Sequence, residues 1–278
     1  MTTPRRVPGK PDLCTDGDFN VGTTDKGSLV NLVEEQAKSG VFLTALGFGM
    51  GNYKDDMLET LSNKGNGNYA YIDNLKEAHK VFVDDITGTL VTIAKDVKLQ
   101  VEFNPAKVGA YRLLGYENRL LKPQDFDDDT KDAGEIGAGH SVTAFYEIIP
   151  PGMEGEMLKA ISPLKYQKVE PKETDAETAG EMLTLKLRYK EAEGTESKLI
   201  TIPFTDEGRT FENASIDFRF AAAVASFGMI LRDSDYKADS KIPLILEYAG
   251  TALGEDKEGY RKEFIELVRK YGGRAIPD

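Results

Sequence analysis

The chain has no tryptophan, a single cysteine and only two histidines in 278 residues. One cysteine, Cys14, excludes an internal disulfide, so cysteine usage leaves the cellular compartment open. Neither His79 nor His140 belongs to a His-Glu-x-x-His motif, and no Gly-x-Ser-x-Gly or cysteine cluster occurs, so the common zinc and serine-hydrolase signatures are missing. Apolar runs are short, none near the roughly 20 residues that a membrane-crossing helix needs. Met1 to Pro11 carries basic residues and adjacent threonines but no apolar stretch, and so does not read as a secretion signal. Basic patches are lacking too. A formal charge of −12 repels phosphate backbones and anionic lipid, which argues against nucleic acid or a membrane surface as partner.

What is present is the composition of an ordinary globular protein, long enough for one to three domains that each bury a core. Residues 1–95 read as α/β. Thr24 is placed to cap a helix from Asp25 to Ser39, with Leu29, Leu32, Val33 and Ala37 on one face and Gly40 to end it. Val41–Leu46 suits a buried parallel strand, Asp55–Lys64 a helix, Gly65–Asn68 a turn and Tyr69–Ile72 a short strand. Asn74 caps a longer helix in which Leu75, Ala78, Val81, Phe82, Ile86 and Leu90 recur at helical spacing. Strands alternating with helices predict parallel crossovers and a doubly wound, Rossmann-like sheet.

From Asp96 the pattern changes, and residues 96–278 form the second region. Val97–Phe103 alternates strictly, and further alternating runs follow at Ala110–Tyr116, Ser141–Ile148, Leu183–Tyr189 and Lys198–Ile202, which together suggest an antiparallel, sandwich-like β region. Gly152–Ala179 reads as a long loop. A C-terminal helical segment opens at Ser215, with Phe218, Ala221, Ala222, Ala225 and Met229 on one face. Asp256 caps a last helix bearing Tyr260, Phe264, Leu267, Val268 and Tyr271, closed by Gly272.

Asp16 is the foremost site candidate. It sits with Thr15 and Asp18 where a strand runs into an acidic turn, and ligands in open α/β sheets gather at the carboxyl ends of strands. Carboxylate and hydroxyl oxygens there suit Mg2+, although these residues are too few to complete an octahedral shell, and the plain alternative is a polar capping turn. Gly47–Gly51 follows a strand but matches neither the dinucleotide fingerprint nor the P-loop, and it reads as a loop that lets backbone approach the edge bearing Asp16. The acidic run from Asp125 to Glu135 fails the calcium-loop test, having Thr130 at the sixth position and Ile136 at the twelfth, and so reads as a solvated connection. Cys14, beside Leu13 in a strand expected to be buried, reads as a small packing residue.

The segments Cys14–Gly22 and Thr44–Gly49 resemble the fourth and fifth strands of a von Willebrand factor A (VWA) domain, and Gly67–Ile72 resembles the approach to its last strand. Downstream, Asp132–Ala144 and Phe220–Gly228 resemble bacterial YfbK-type proteins, in which an A domain precedes an uncharacterised region. The resemblance implies a partial VWA sheet followed by the β region and helices, and a non-enzymatic protein-binding or adhesion module of the bacterial cell envelope. A lipoprotein-type signal is common in the family; the sequence as given has none and would be cytoplasmic. Asp16 is the one residue that carries over as a metal ligand. The family's Asp-x-Ser-x-Ser loop has no counterpart, and Pro8 and Pro11 suit a central strand poorly, so residues 1–11 are expected to be a foreign start on a truncated domain. Metal binding in this chain is expected to be weak or absent. The partner is expected to be a protein of unknown identity; a metal-independent structural scaffold and, more weakly, a magnesium-dependent hydrolase are the alternatives.

Overall fold

The structure is a computed structural model that describes residues 11–17, 24–49, 53–85, 91–116, 120–131, 133–153, 180–237 and 240–274. Asp18, Ile86, Leu90 and most of Gly152–Ala179 therefore lie outside the described residues. Two compact units emerge. One is drawn from within Met1–Val101, Leu121–Val142 and Leu185–Ile202, the other from within Glu102–Leu120, Thr143–Thr184 and Pro203–Asp278.

The first unit contains a three-stranded parallel sheet in the order β1 (Asp12–Thr15), β2 (Thr44–Phe48), β3 (Tyr69–Ile72). Both pairings are parallel, in the registers Leu13↔Ala45 and Ala45↔Tyr69, as the α/β alternation predicts. β2 is central, and its Ala45 and Leu46 are fully buried. Among the described residues β1 is an edge strand, which reconciles it with the preceding proline: Pro11 has no N–H to give, and its carbonyl accepts from Thr44 N–H at 3.1 Å.

Helix α1 (Lys26–Lys38) is capped by Asp25 rather than Thr24, its carboxylate accepting from Ser28 N–H at 2.8 Å. Gly40 does end the helix, at φ +85°. Of the predicted apolar face, Ala37 is buried but Leu32 is half exposed. Helix α2 (Asp55–Lys64) buries Met57, Leu58 and Leu61. The helix capped by Asn74 is shorter than its periodicity predicts. α3 (Leu75–His79) passes into a wider π turn over Lys80–Asp84, closed by Asp85 N–H on the Lys80 carbonyl. Leu75 and Val83 there are exposed, so the apolar recurrence marks no buried face among the described residues.

Cys14 is exposed, contrary to its reading as a packing residue. It stands on an edge strand of a sheet with only three strands among the described residues, so its neighbourhood is open on the side away from β2. We expect the native protein to be alkylated at Cys14 by a maleimide without denaturant, as an exposed thiol is. Labelling that needs denaturant, followed by intact mass, would contradict this placement.

The same unit carries most of a four-stranded sheet ordered β6 (Gly134–Gly137), β4 (Thr92–Phe103), β8 (Leu183–Glu191), β9 (Ser197–Phe204). β4 pairs with β6 antiparallel and shifts register between Thr92 and Val97, where Asp96 takes φ +51°. Asp96 thus marks a bulge inside a strand that starts at Thr92. In the second unit, β5 (Ala110–Leu114) and β7 (Phe145–Ile149) form an antiparallel ribbon.

The second unit's core is helical. α4 (Ile216–Leu231), which opens where the sequence predicts and is capped by Ser215, meets α5 (Ile242–Thr251) and α6 (Tyr260–Arg274) around Ala223, Phe227, Ile245, Ala249, Ile265 and Val268. The buried side of α4 runs through Phe220, Ala223, Phe227 and Ile230, offset from the predicted face, and Phe218 is exposed. Asp256 caps α6 by accepting from Arg261 N–H at 2.9 Å and Lys262 N–H at 3.0 Å. Gly272 does not close this helix. It lies within it, where a Cβ would come 2.9 Å from Ile242 Cγ2, so the glycine sets how near α5 and α6 approach.

Candidate functional site

The carboxyl ends of the three parallel strands bring together Thr15 at the end of β1 with Asp16 and Gly17 after it, Gly47 to Gly49 at the end of β2, and Tyr71 of β3, while Tyr69, which opens β3, joins them through its hydroxyl. Asp16 is exposed, and a Cβ placed on Gly49 (φ +97°) would stand 3.8 Å from its own Cβ. The glycine-rich loop and Asp16 therefore share one edge, as the strand ends imply. Gly17 takes φ +82°, donates its N–H to Thr15 Oγ1 at 3.1 Å, and lies so close to Lys54 that a Cβ there would sit 3.2 Å from the Lys54 nitrogen.

Three tyrosines, which sequence reasoning did not select, dominate this edge. The Tyr53 and Tyr69 hydroxyls lie 2.5 Å apart, Tyr69 donates to Asp55, and Tyr71 donates to the Gly49 carbonyl at 2.5 Å. The rings of Tyr53 and Tyr71 are tilted at 4.9 Å. Gly47 makes room for this cluster, since a Cβ there would overlap the Tyr53 hydroxyl. Burial, then the hydrogen bonds to Asp55 and Tyr53, push the Tyr69 hydroxyl far above the ordinary phenol range. Burial raises Tyr53 as well. Both phenols stay protonated at neutral pH, so they serve as donors and packing surface, not as bases.

Magnesium needs several hard oxygens around one point. Among the described residues at the end of β1, the side-chain oxygens on offer are those of the Asp16 carboxylate and the Thr15 hydroxyl, which accepts from Gly17 N–H. Among the described residues, no three His, Cys, Asp or Glu side chains gather where they could hold a metal. The described residues do not fit a metal centre. Nor does a nucleophile with a base occur at this edge among the described residues: Cys14 lies on β1 itself, and His79, exposed on α3, has Asp84 at 3.7 Å as its charged neighbour.

A second polar assembly, also in the first unit, corrects the reading of the acidic run as merely solvated. Lys98, on β4, is 3% exposed, and its ammonium donates to the backbone carbonyls of Asp125 (3.1 Å) and Asp128 (2.5 Å). Around it Arg188 pairs with Asp129 at 3.1 Å, Lys190 pairs with Asp96 at 2.7 Å, and Ser197 donates to Asp129 at 2.5 Å. Hydrogen bonds from Ser197 and then Arg188 hold Asp129 below the usual carboxylate range. The acidic segment is thus wrapped around cations supplied by β4 and β8.

The family model described as "Uncharacterized protein YfbK, C-terminal" matches residues 88–273, a span that includes the motifs at Asp132–Ala144 and Phe220–Gly228. The "Uncharacterized protein YfbK" of Escherichia coli (strain K12) is 42% identical over 261 residues, covering 94% of this chain and 44% of its own length. The chain thus spans less than half of that curated relative. Among solved structures, a von Willebrand factor type A protein from Catenulispora acidiphila is 15% identical over 94% of this chain and 57% of its own, with a TM-score of 0.36. The human COPII-coat protein Sec24c is 12% identical over 88% of this chain and 32% of its own, with a TM-score of 0.40. At these scores neither likeness carries a functional argument.

Proposed function

The chain belongs to the YfbK family, and on that premise we propose that it is a non-enzymatic protein-binding module of the A-domain type, acting in the bacterial envelope. The observation that carries this reading is the carboxyl edge of the parallel sheet. Gly49 stands exposed there, with the hydroxyl of the exposed Tyr71 bonded to its carbonyl, and no nucleophile–base pair accompanies them among the described residues. Tyrosine is favoured at recognition surfaces because it supplies much contact area at low entropic cost.

Recognition at this edge is proposed to need no metal, because no three His, Cys, Asp or Glu side chains gather where they could hold one among the described residues. Magnesium or manganese titrated into the protein should bind no tighter than millimolar by calorimetry. A micromolar constant abolished by Asp16→Ala would refute that.

The binding reading is tested by photo-cross-linking from a benzoylphenylalanine at position 71, with the same probe at exposed Glu35 as control. Discrete adducts from position 71 alone, unchanged by chelator, are expected. Equal labelling from both positions would remove this edge as the recognition surface. Chelator-sensitive adducts would restore a metal-dependent site.

A further inference from the structure

β9 (Ser197–Phe204) is the outer strand of the four-stranded sheet, with β8 as its one neighbour among the described residues. Leu199, Ile200 and Ile202 are 52%, 41% and 49% exposed, so side chains on both faces of this strand meet solvent. Strand geometry fixes which of its backbone groups are in use. The Phe204 carbonyl accepts from Met182 N–H at 2.8 Å and so points toward β8. Since backbone groups alternate sides residue by residue, Ile202 and Ile200 also face β8, while Leu199, Thr201 and Pro203 face outward. Pro203 has no N–H, and edge strands tolerate proline only where that N–H would face solvent, which agrees with this assignment.

Exposed edges are normally blunted by lysine and proline. Here those devices flank the strand: Lys198, held by Glu191, stands at one end and Pro203 at the other. Between them the outward N–H and C=O groups of Leu199 and Thr201 face no further strand among the described residues, with apolar side chains on both faces. The turn leading into this window carries exposed Glu193 and Glu196.

We propose that β9 accepts an added strand from another protein: an extended segment with alternating apolar residues and a basic end beside Glu193 and Glu196. Backbone pairing would supply the affinity, Ile200 and Ile202 the side-chain contact, and the two glutamates the polarity. A second copy is disfavoured as the occupant, because both chains would carry the same charge of −12. This surface is separate from the carboxyl edge of the parallel sheet and does not depend on the reading given to that edge.

The test uses the full chain and a short synthetic peptide that alternates valine and threonine and ends in lysines, with a glutamate-ended version as control. Amide shifts on titration should centre on Leu199–Ile202. Thr201→Pro removes an outward N–H without touching the β8 pairing and should weaken the lysine peptide about tenfold or more. Glu193→Lys with Glu196→Lys, in an exposed turn, should erase the preference for the lysine peptide and leave the fold intact. The proposal is overturned if shifts fall elsewhere, if the two peptides bind alike, or if Thr201→Pro binds as the parent does. It is equally overturned if sedimentation shows a dimer that Thr201→Pro abolishes, since the edge would then belong to a second copy.

Discussion

Gly67→Ala is expected to destabilise the protein by at least about 3 kcal/mol, the upper range for forcing atoms into a filled space. A Cβ at this position would lie 2.0 Å from the Leu43 carbonyl oxygen and 2.3 Å from its carbon. These are backbone atoms on the approach to β2, so no rotamer change can relieve the overlap. The neighbouring Asn66 already takes φ +51°, and Gly67 N–H bonds to the Ser62 carbonyl at 3.0 Å, which leaves the turn little freedom to shift. The whole α2–β3 junction must move, or the parallel sheet opens. Gly228→Ala is the control: a Cβ there meets nothing within 4 Å, and its helical setting should give a gain of about 0.5–1 kcal/mol. Urea denaturation of both variants decides the matter. Equal stability of Gly67→Ala and the parent would mean that the turn is built differently.

Lys98→Met should cost about 2–4 kcal/mol, because it removes a buried ammonium that donates to two carbonyls and leaves those oxygens without their partner. Methionine keeps the apolar stem, so the loss reports on the charge and its hydrogen bonds, not on a cavity. Hydrogen exchange should then quicken selectively at Phe126–Lys131, whereas the helical core around Val268 should keep its protection. A loss under about 0.5 kcal/mol, the usual range for surface changes, would show that the acidic segment holds itself.

The elements that were legible in the sequence are those whose signals are local. α2, the turn at Gly65–Asn68 and β3 fall where turn residues and short apolar runs place them, and the parallel sheet follows from the alternation of strand and helix. Asn74 and Asp256 cap helices as side-chain chemistry predicts, and a helix opens at Ser215 as expected. The failures have physical causes. Alternation in Val97–Phe103 puts Lys98 on the polar face, but the bulge at Asp96 changes the register, and Lys98 is buried while Leu99 is 48% exposed. β6 hid in the acidic run because its strand character comes from pairing with β4, not from its own residues. On α4 the small residues suggest one face, whereas the bulk of Phe220 and Phe227 selects another. Asp16 and the glycine loop were legible as one edge because strand ends converge in a parallel sheet. The tyrosines were not, since their meeting depends on Gly47 vacating the space that Tyr53 fills.

The lysine inside the acidic segment has a consequence for regulation. A loop ordered by a dissolved ion follows that ion's concentration, and can fold or melt as the ion comes and goes. Lys98 is a counter-ion on a covalent leash, present at the carbonyls of Asp125 and Asp128 whenever β4 is formed. Its effective concentration is fixed by the chain and does not answer to the surroundings. The backbone of the acidic segment at Asp125 and Asp128 is therefore expected to keep its course whether the medium is rich or poor in divalent ions, as a fixture rather than a sensor.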